Sequence, residues 1–203
     1  MLPSLEEYLA GLPLGMDSHP KVVSKGAIFR SAAVDSGLAR RLHDGDVPEA
    51  LLERIRDPPP VTDWVPEVYV VAATSAAYDV IYRDAGGMVA FEQWVKDRNR
   101  KLLGSALYRV LFLVVSPERL FANLQRRWGA FHRGSRLALS TIGPGRAEVD
   151  LSFPTHLFSG LYLRTLGRAF EAAGEAAGAK DLTFRITHET PGSARYEIAW
   201  RTP

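Results

Sequence analysis

Cysteine is absent from this chain of 203 residues. Its absence excludes disulfide bonds, thiolate nucleophiles, and zinc or iron–sulfur sites held by cysteine. Lysine is scarce: 20 of the 25 basic residues are arginines. The 23 acidic residues leave a formal net charge of +2, which is too small to indicate nucleic-acid binding by itself. We therefore expect no nucleic-acid partner.

Long apolar runs are missing as well. The segment 68–78 carries no charge but is short, and the segment 102–115 is interrupted by Arg109. A membrane-spanning helix needs about 20 apolar residues, so we interpret both segments as buried core helices. The acidic N-terminus lacks the basic and apolar regions of a signal peptide. These features predict a cytoplasmic domain with no membrane span.

Recognisable catalytic patterns are also lacking. The sequence contains no Gly-x-Ser-x-Gly nucleophile elbow and no glycine-rich phosphate loop. No histidine is paired at i+3 or i+4 with another histidine or an acid on one helix face, as simple metal sites require. The histidines are His19, His43, His132, His156 and His188. We expect surface or structural roles for them, and neither a metal site nor a cofactor.

Apolar residues recur at helical spacing through the first two thirds of the chain. The segment 65–83 is apolar on nearly all sides, which predicts a central, buried helix. A second helix is predicted over 88–103. The run Ser116-Pro-Glu combines a capping hydroxyl, proline at the first position and an early acid, so a third helix should begin there and reach about Phe131. Residues 27–30 are predicted to be extended.

The apolar period changes from 3.6 to 2 after this helix. Alternating residues predict two antiparallel hairpins, over 136–153 and 181–201, with a helix over 157–177 between them. The expected fold class is α+β: a helical N-terminal half followed by ββαββ, with an antiparallel sheet of about four strands and helices on one face. We place this single domain at residues 26–203 and treat residues 1–25 as a peripheral N-terminal extension.

Glycine, apolar and aromatic motifs carry a resemblance to a known family. These motifs are Gly26-Ala-Ile-Phe-Arg-Ser-Ala, Phe91-Glu-Gln-Trp with Gly104 downstream, Ser116-Pro-Glu-Arg-Leu-Phe, Phe158-Ser-Gly-Leu-Tyr and Tyr196-Glu-Ile-Ala-Trp. Over roughly residues 26–201 the chain resembles a paralogous domain family of unknown function that is expanded in myxobacteria. That family is distantly similar to vinyl-reductase-type domains, to haem nitric-oxide-binding domains and to small subunits of a vesicle-tethering complex.

This resemblance implies a domain that holds an apolar ligand or acyl chain between helices and sheet, or that docks a partner. The chain departs from the cysteine-bearing relatives because it has no cysteine. It also lacks the Tyr-x-Ser-x-Arg signature for haem propionates, and none of its histidines sits clearly on a core-facing helix stripe. We therefore expect the domain to carry no haem.

A positive charge within an apolar helical stripe marks the first candidate site. Arg98 continues the stripe of the predicted helix 88–103, and a buried charge must be paired or coordinated. One interpretation is a structural ion pair, with Asp63, Asp79 or Glu92 as the partner. The other is a cationic anchor in an aromatic-walled ligand pocket. The candidate ligand-binding residues are Trp94, Arg98, Tyr108, Phe158 and Tyr162.

An arginine-rich segment is the second candidate site. No acid occurs between Glu118 and Glu148, whereas arginines are frequent there. The segment fits either an anion- or partner-binding patch or an ordinary solvated face. The candidate patch residues are Arg119, Arg126, Arg127 and Arg133.

Three functions from different classes remain open at this point. The leading hypothesis is a non-enzymatic sensory or adaptor domain that binds a small apolar or acidic ligand, or a protein partner, in a helix–sheet groove. The alternative is a structural protein-interaction module that homodimerises through the aromatic helix 65–83. An enzyme of unrecognised type ranks third.

Overall fold

The computed structural model describes residues 1–105 and 116–201. The chain divides into two compact units. Unit 1 comprises residues 1–91, 131–134 and 154–162, and unit 2 comprises residues 92–130, 135–153 and 163–203.

Unit 1 is mainly helical. Its helices are α1 (Pro3–Gly11), α2 (Gly26–Ala33), α3 (Glu49–Arg56) and α4 (Glu67–Ala77), and single helical turns lie at Gly15–Asp17, Leu38–Arg40 and Tyr78–Tyr82. Every residue of α4 is buried, which confirms the predicted central helix with shorter bounds. Within the described ranges, no helix is long and apolar enough to cross a membrane.

A small three-stranded sheet accompanies these helices. Strand β1 (Val23–Lys25) lies between β2 (Trp64–Pro66) and β3 (His132–Arg133), and both pairings are antiparallel. Sequence analysis missed this sheet and wrongly predicted residues 27–30 as extended, although they belong to α2. Strands of two or three residues are too short to show a period of 2, and the extended segment lies a few residues earlier than predicted.

Helix α1 packs against α4 and contributes to the core of unit 1. Its Leu5 and Tyr8 are buried. The Tyr8 hydroxyl donates a hydrogen bond to the carbonyl oxygen of Leu157 at 3.0 Å. The domain boundary at residue 25 stays a prediction.

Unit 2 contains the four-stranded sheet. Its strands are β4 (Arg136–Gly143), β5 (Arg146–Ser152), β6 (Lys180–Thr190) and β7 (Ser193–Arg201), in the order β4-β5-β7-β6 with every pair antiparallel. Both predicted hairpins are confirmed. The inward residues of β5, which are Ala147, Val149 and Leu151, are buried as the alternation requires.

Helix α8 (Gly160–Ala176) packs on this sheet in unit 2. The ring of Phe170 meets that of Tyr196 edge to face, with centroids 5.1 Å apart. Gly167 leaves room for the Phe184 ring, because a β-carbon at residue 167 would lie 2.2 Å from it. The predicted α+β class, with a helix on the sheet, is thereby confirmed.

The helix predicted to run from Ser116 to about Phe131 is interrupted. It forms α6 (Pro117–Ala122) and α7 (Leu124–Phe131). The Ser116 hydroxyl accepts a hydrogen bond from the backbone N–H of Arg119, as the predicted cap requires. The break falls at Asn123, whose side-chain amide donates to the Arg119 carbonyl and so competes with the helical hydrogen bonds.

Gly26 generates a prediction about unit 1. A β-carbon at this residue would lie 2.1 Å from the backbone oxygen of Pro60, which cannot turn away as a side chain can. We expect Gly26→Ala to lower the free energy of unfolding by about 1–3 kcal/mol in a denaturant titration. The matched control is Gly11→Ala in α1, where no atom lies within 4 Å of the new β-carbon. A result within about 0.5 kcal/mol of wild type for both variants would contradict this close packing.

Candidate functional site

Arg98 lies in unit 2 on helix α5 (Gly87–Gly104). Its residue surface is 8% exposed, and its guanidinium carbon lies 4.7 Å from the ring centroid of Trp94, one helical turn earlier. This geometry is a cation–π contact. The predicted burial of Arg98 beside Trp94 is confirmed, whereas Tyr108 lies outside the described residues. The role of these residues in ligand binding stays a prediction.

Two of the carboxylates proposed as partners of Arg98 make ion pairs with other arginines. Asp79 pairs with Arg83 at 2.5 Å. Glu92 pairs with Arg168 at 2.5 Å. Each of these two acids therefore has an arginine partner within its own unit.

The polar face of α5 is joined to α8 by ion pairs within unit 2. Lys96 binds Glu171 at 3.1 Å and Glu175 at 2.8 Å, and Arg100 binds Glu175 at 2.7 Å. Burial opposes ionisation of Glu175, but hydrogen bonds from Lys96 and Arg100 outweigh it and hold its pKa below the usual value. The ion pairs thus hold in place the helix that carries Trp94 and Arg98.

A buried carboxylate occupies the core of unit 1. Glu67, the first residue of α4, is fully buried. It accepts a hydrogen bond from the Tyr162 hydroxyl at 3.0 Å and one from Nδ1 of His132 at 3.1 Å. The N-terminus of a helix also favours a negative charge through its unpaired N–H groups and dipole. We refer to Glu67, His132 and Tyr162 as the Glu67 network.

Two further aromatic residues adjoin this network. Burial and the charge of Glu67 raise the pKa of the Tyr8 hydroxyl well above its usual value, so Tyr8 stays neutral. Phe158 packs on Tyr162 with ring centroids 5.1 Å apart. Phe158 and Tyr162 therefore belong to the core of unit 1, whereas Trp94 and Arg98 belong to unit 2.

Sequence analysis missed the Glu67 network. Glu67 is separated from His132 by 65 positions and from Tyr162 by 95 positions, so no local pattern relates the three residues. The sequence predicts a surface or structural role for His132 and assigns none to Glu67, which directly precedes the uncharged segment 68–78. The available signal was a single acid, directly after Pro66, at the head of a helix that is apolar on nearly all sides.

The four candidate patch arginines are divided between the units. Arg119 and Arg126 are exposed in unit 2, on the two helices separated by the break at Asn123. Burial, with the neighbouring charge of Arg126, lowers the pKa of Arg127. Arg133 lies in unit 1 on strand β3, with its guanidinium 3.9 Å from the ring centroid of Trp64. Their role as one patch stays a prediction.

The chain belongs to a family of unknown function, described as "Protein of unknown function (DUF2378)", whose model matches residues 20–201. No curated protein matches the chain. Family membership therefore assigns no activity to the chain.

Solved H-NOX domains share this fold. A structure from a study of H-NOX activation has a TM-score of 0.57 at 10% identity, covering 89% of this chain and 97% of that chain. An oxygen-binding H-NOX domain related to soluble guanylate cyclases has a TM-score of 0.53 at 12% identity, covering 88% and 96%. A mutant H-NOX protein from K. algicida has a TM-score of 0.53 at 8% identity, and the alignment covers 88% of this chain and 97% of that chain.

At these identities the likeness shows the fold alone. It confirms the expected distant similarity to haem nitric-oxide-binding domains at that level. The similarity to vinyl-reductase-type domains and to vesicle-tethering subunits, and the expansion in myxobacteria, stay predictions.

The Glu67 network generates a prediction about stability. Tyr162→Phe removes the donor to a fully buried carboxylate, so we expect the free energy of unfolding to fall by about 1.5–3 kcal/mol. The matched control is Tyr196→Phe, which removes a buried hydroxyl that donates to the neutral carbonyl of Leu163. We expect this change to lower the free energy of unfolding by about 1 kcal/mol.

A double-mutant cycle with Glu67→Met, which removes both acceptor oxygens at similar length, isolates the coupling energy between Tyr162 and Glu67. We expect Tyr162→Phe to lower the free energy of unfolding clearly less in the Glu67→Met background than in wild type. Equal costs in the two backgrounds would show that the hydrogen bond does not stabilise unit 1.

Proposed function

We propose that this chain is a non-enzymatic sensory or adaptor domain that binds a small apolar or acidic ligand. The observation that carries this proposal is the H-NOX-like fold, which extends over 88% of the chain in alignments that include nearly all of each H-NOX domain. H-NOX domains named in these comparisons bind oxygen or are described through their haem. The fold therefore supports a sensory role, while the ligand has to be inferred from this chain's own residues.

The histidine and cysteine content of this chain argues against haem. Haem iron is held in proteins by histidine, cysteine, methionine or tyrosine. Cysteine is absent, and four of the five histidines are exposed or half-exposed. The buried histidine, His132, lies on a strand with its Nδ1 bound to Glu67, and the hydroxyl of Tyr162 is bound to the same carboxylate. We therefore propose a ligand other than haem.

Unit 2 offers the chemistry for a small molecule that carries an acidic group. A guanidinium binds a carboxylate through two parallel hydrogen bonds. The electrostatic attraction between the two groups is strongest where water is excluded. Arg98 is largely buried and lies against the Trp94 ring, which supplies an apolar wall. We place the ligand's acidic group at Arg98, and its apolar part in a helix–sheet groove of the same unit.

The alternative, homodimerisation through the aromatic helix 65–83, has less support. All residues of α4 are buried within the chain, so this helix presents no surface to a second copy. Outside α4, this segment offers the half-exposed Pro66, the half-exposed residues 78 and 80–82, and the exposed Arg83. A protein partner at another surface is compatible with an adaptor role.

Native mass spectrometry of the purified protein tests the ligand proposal, because it reports the bound mass and the oligomeric state together. We expect the wild-type protein to retain a small molecule and Arg98→Met to lose it while staying folded. Arg146→Met, at an exposed arginine of unit 2, should retain the ligand.

Two results would contradict the proposal. A bound mass equal to haem would show that the ligand is the one shared with H-NOX domains. A wild-type protein without bound mass, combined with a loss of about 3–5 kcal/mol of stability in Arg98→Met, would assign Arg98 to a structural ion pair.

A further inference from the structure

The small sheet of unit 1 has two chemically different faces. Ser24, Val65 and His132 are registered side by side and all are buried. Because side chains alternate along a strand, their neighbours in sequence point the opposite way. Those neighbours include Lys25, Trp64 and Arg133, which are half-exposed or exposed. We call these three residues the outer cluster.

The outer cluster gathers two cations around one indole ring. Lys25 lies directly opposite Trp64 in the register, with its Nζ 4.0 Å from the ring centroid. The guanidinium carbon of Arg133, on β3, lies 3.9 Å from the same centroid. The Lys25 ammonium donates one hydrogen bond to the Thr62 carbonyl oxygen at 2.7 Å, which leaves two of its three donors.

No acidic side chain of the described residues makes an ion pair with Lys25 or Arg133. Some other exposed arginines do have such partners: Arg185 pairs with Glu197, and Arg195 pairs with Asp150. An anionic group bound at the outer cluster would balance the positive charge of these two side chains and accept hydrogen bonds from their remaining donors.

We propose that the outer cluster docks an acidic segment of a partner protein. A half-exposed tryptophan flanked by an arginine is the composition that dominates protein–protein hot spots, since the ring supplies apolar area and the cations supply orientation. Nucleic acids and anionic membranes require a broad basic surface. Here Asp63, which is exposed and precedes Trp64 in sequence, reduces the positive potential. The whole chain carries a formal net charge of only +2.

This surface is independent of the ligand proposed at Arg98. It lies in unit 1 and uses none of the residues assigned to that ligand. It includes Arg133 but none of the other candidate patch arginines, which lie in unit 2. If one proposal is disproved, the other is therefore unaffected.

The test follows the indole N–H signals of the full chain by NMR, with the Trp64 signal assigned through Trp64→Phe. The probe is a short N-acetylated peptide of alternating aspartate and glutamate. We expect a saturable shift of the Trp64 signal, with a dissociation constant that rises with added salt. Arg133→Gln and Lys25→Gln should each weaken binding about fivefold, the effect of losing one exposed ion pair. Arg41→Gln, an exposed arginine of the same unit, should leave it within about twofold.

Three outcomes would overturn the proposal. The first is a Trp64 signal that does not shift or does not saturate with the peptide. The second is equal weakening by Arg133→Gln and Arg41→Gln, which would show attraction by overall charge alone. The third is tighter binding of inorganic phosphate, or of phosphatidylcholine vesicles containing phosphatidylserine, than of the peptide, which would reassign the cluster to phosphate groups. Because two independent substitutions are used, a folding defect in one variant does not remove the test.

Discussion

The fully buried carboxylate of Glu67 is the constraint on which unit 1 depends. Burying an unpaired charge is far more costly than the net stability of a typical domain allows, so its hydrogen-bond donors have to be in place. They come from strand β3 and from the start of α8, far along the chain from α4. The helical N-terminal segments and these two later segments therefore have to assemble together. The hydrogen bond from Tyr8 to Leu157 adds a further connection between the first helix and the later chain.

This constraint also relates the interior of unit 1 to its surface. His132 faces inward to Glu67, and Arg133, the next residue, faces outward to Trp64. A partner held by Arg133 would thus contact the strand that the buried carboxylate positions. In unit 2, ion pairs between α5 and α8 hold the helix that carries Arg98 and Trp94. The two units consequently support two separate proposals, one for a docked partner and one for a small ligand, on a fold shared with H-NOX domains.

Regular elements with a strong apolar period could be predicted from the sequence. The two hairpins, α5 and the helix between the hairpins have such a period, α4 was predicted from a continuous apolar run, and all are present. The small sheet could not be found this way, since its strands have two or three residues. The break at Asn123 depends on one side-chain hydrogen bond rather than on composition. For the candidate site, the burial of Arg98 followed from helical spacing, whereas the Glu67 network joins residues that only the tertiary fold brings together.

Hydrogen–deuterium exchange of Glu67→Gln tests the central role of this carboxylate most directly. Glutamine keeps the size of the side chain but replaces one acceptor oxygen with an amide donor, so His132 or Tyr162 has to change its hydrogen bonding or lose its partner. The account predicts faster exchange in three segments at once: the start of α4, strand β3, and the first turn of α8. Strands β5 and β7 of unit 2 should keep wild-type protection. Faster exchange confined to the start of α4, or unchanged exchange in all three segments, would contradict the account.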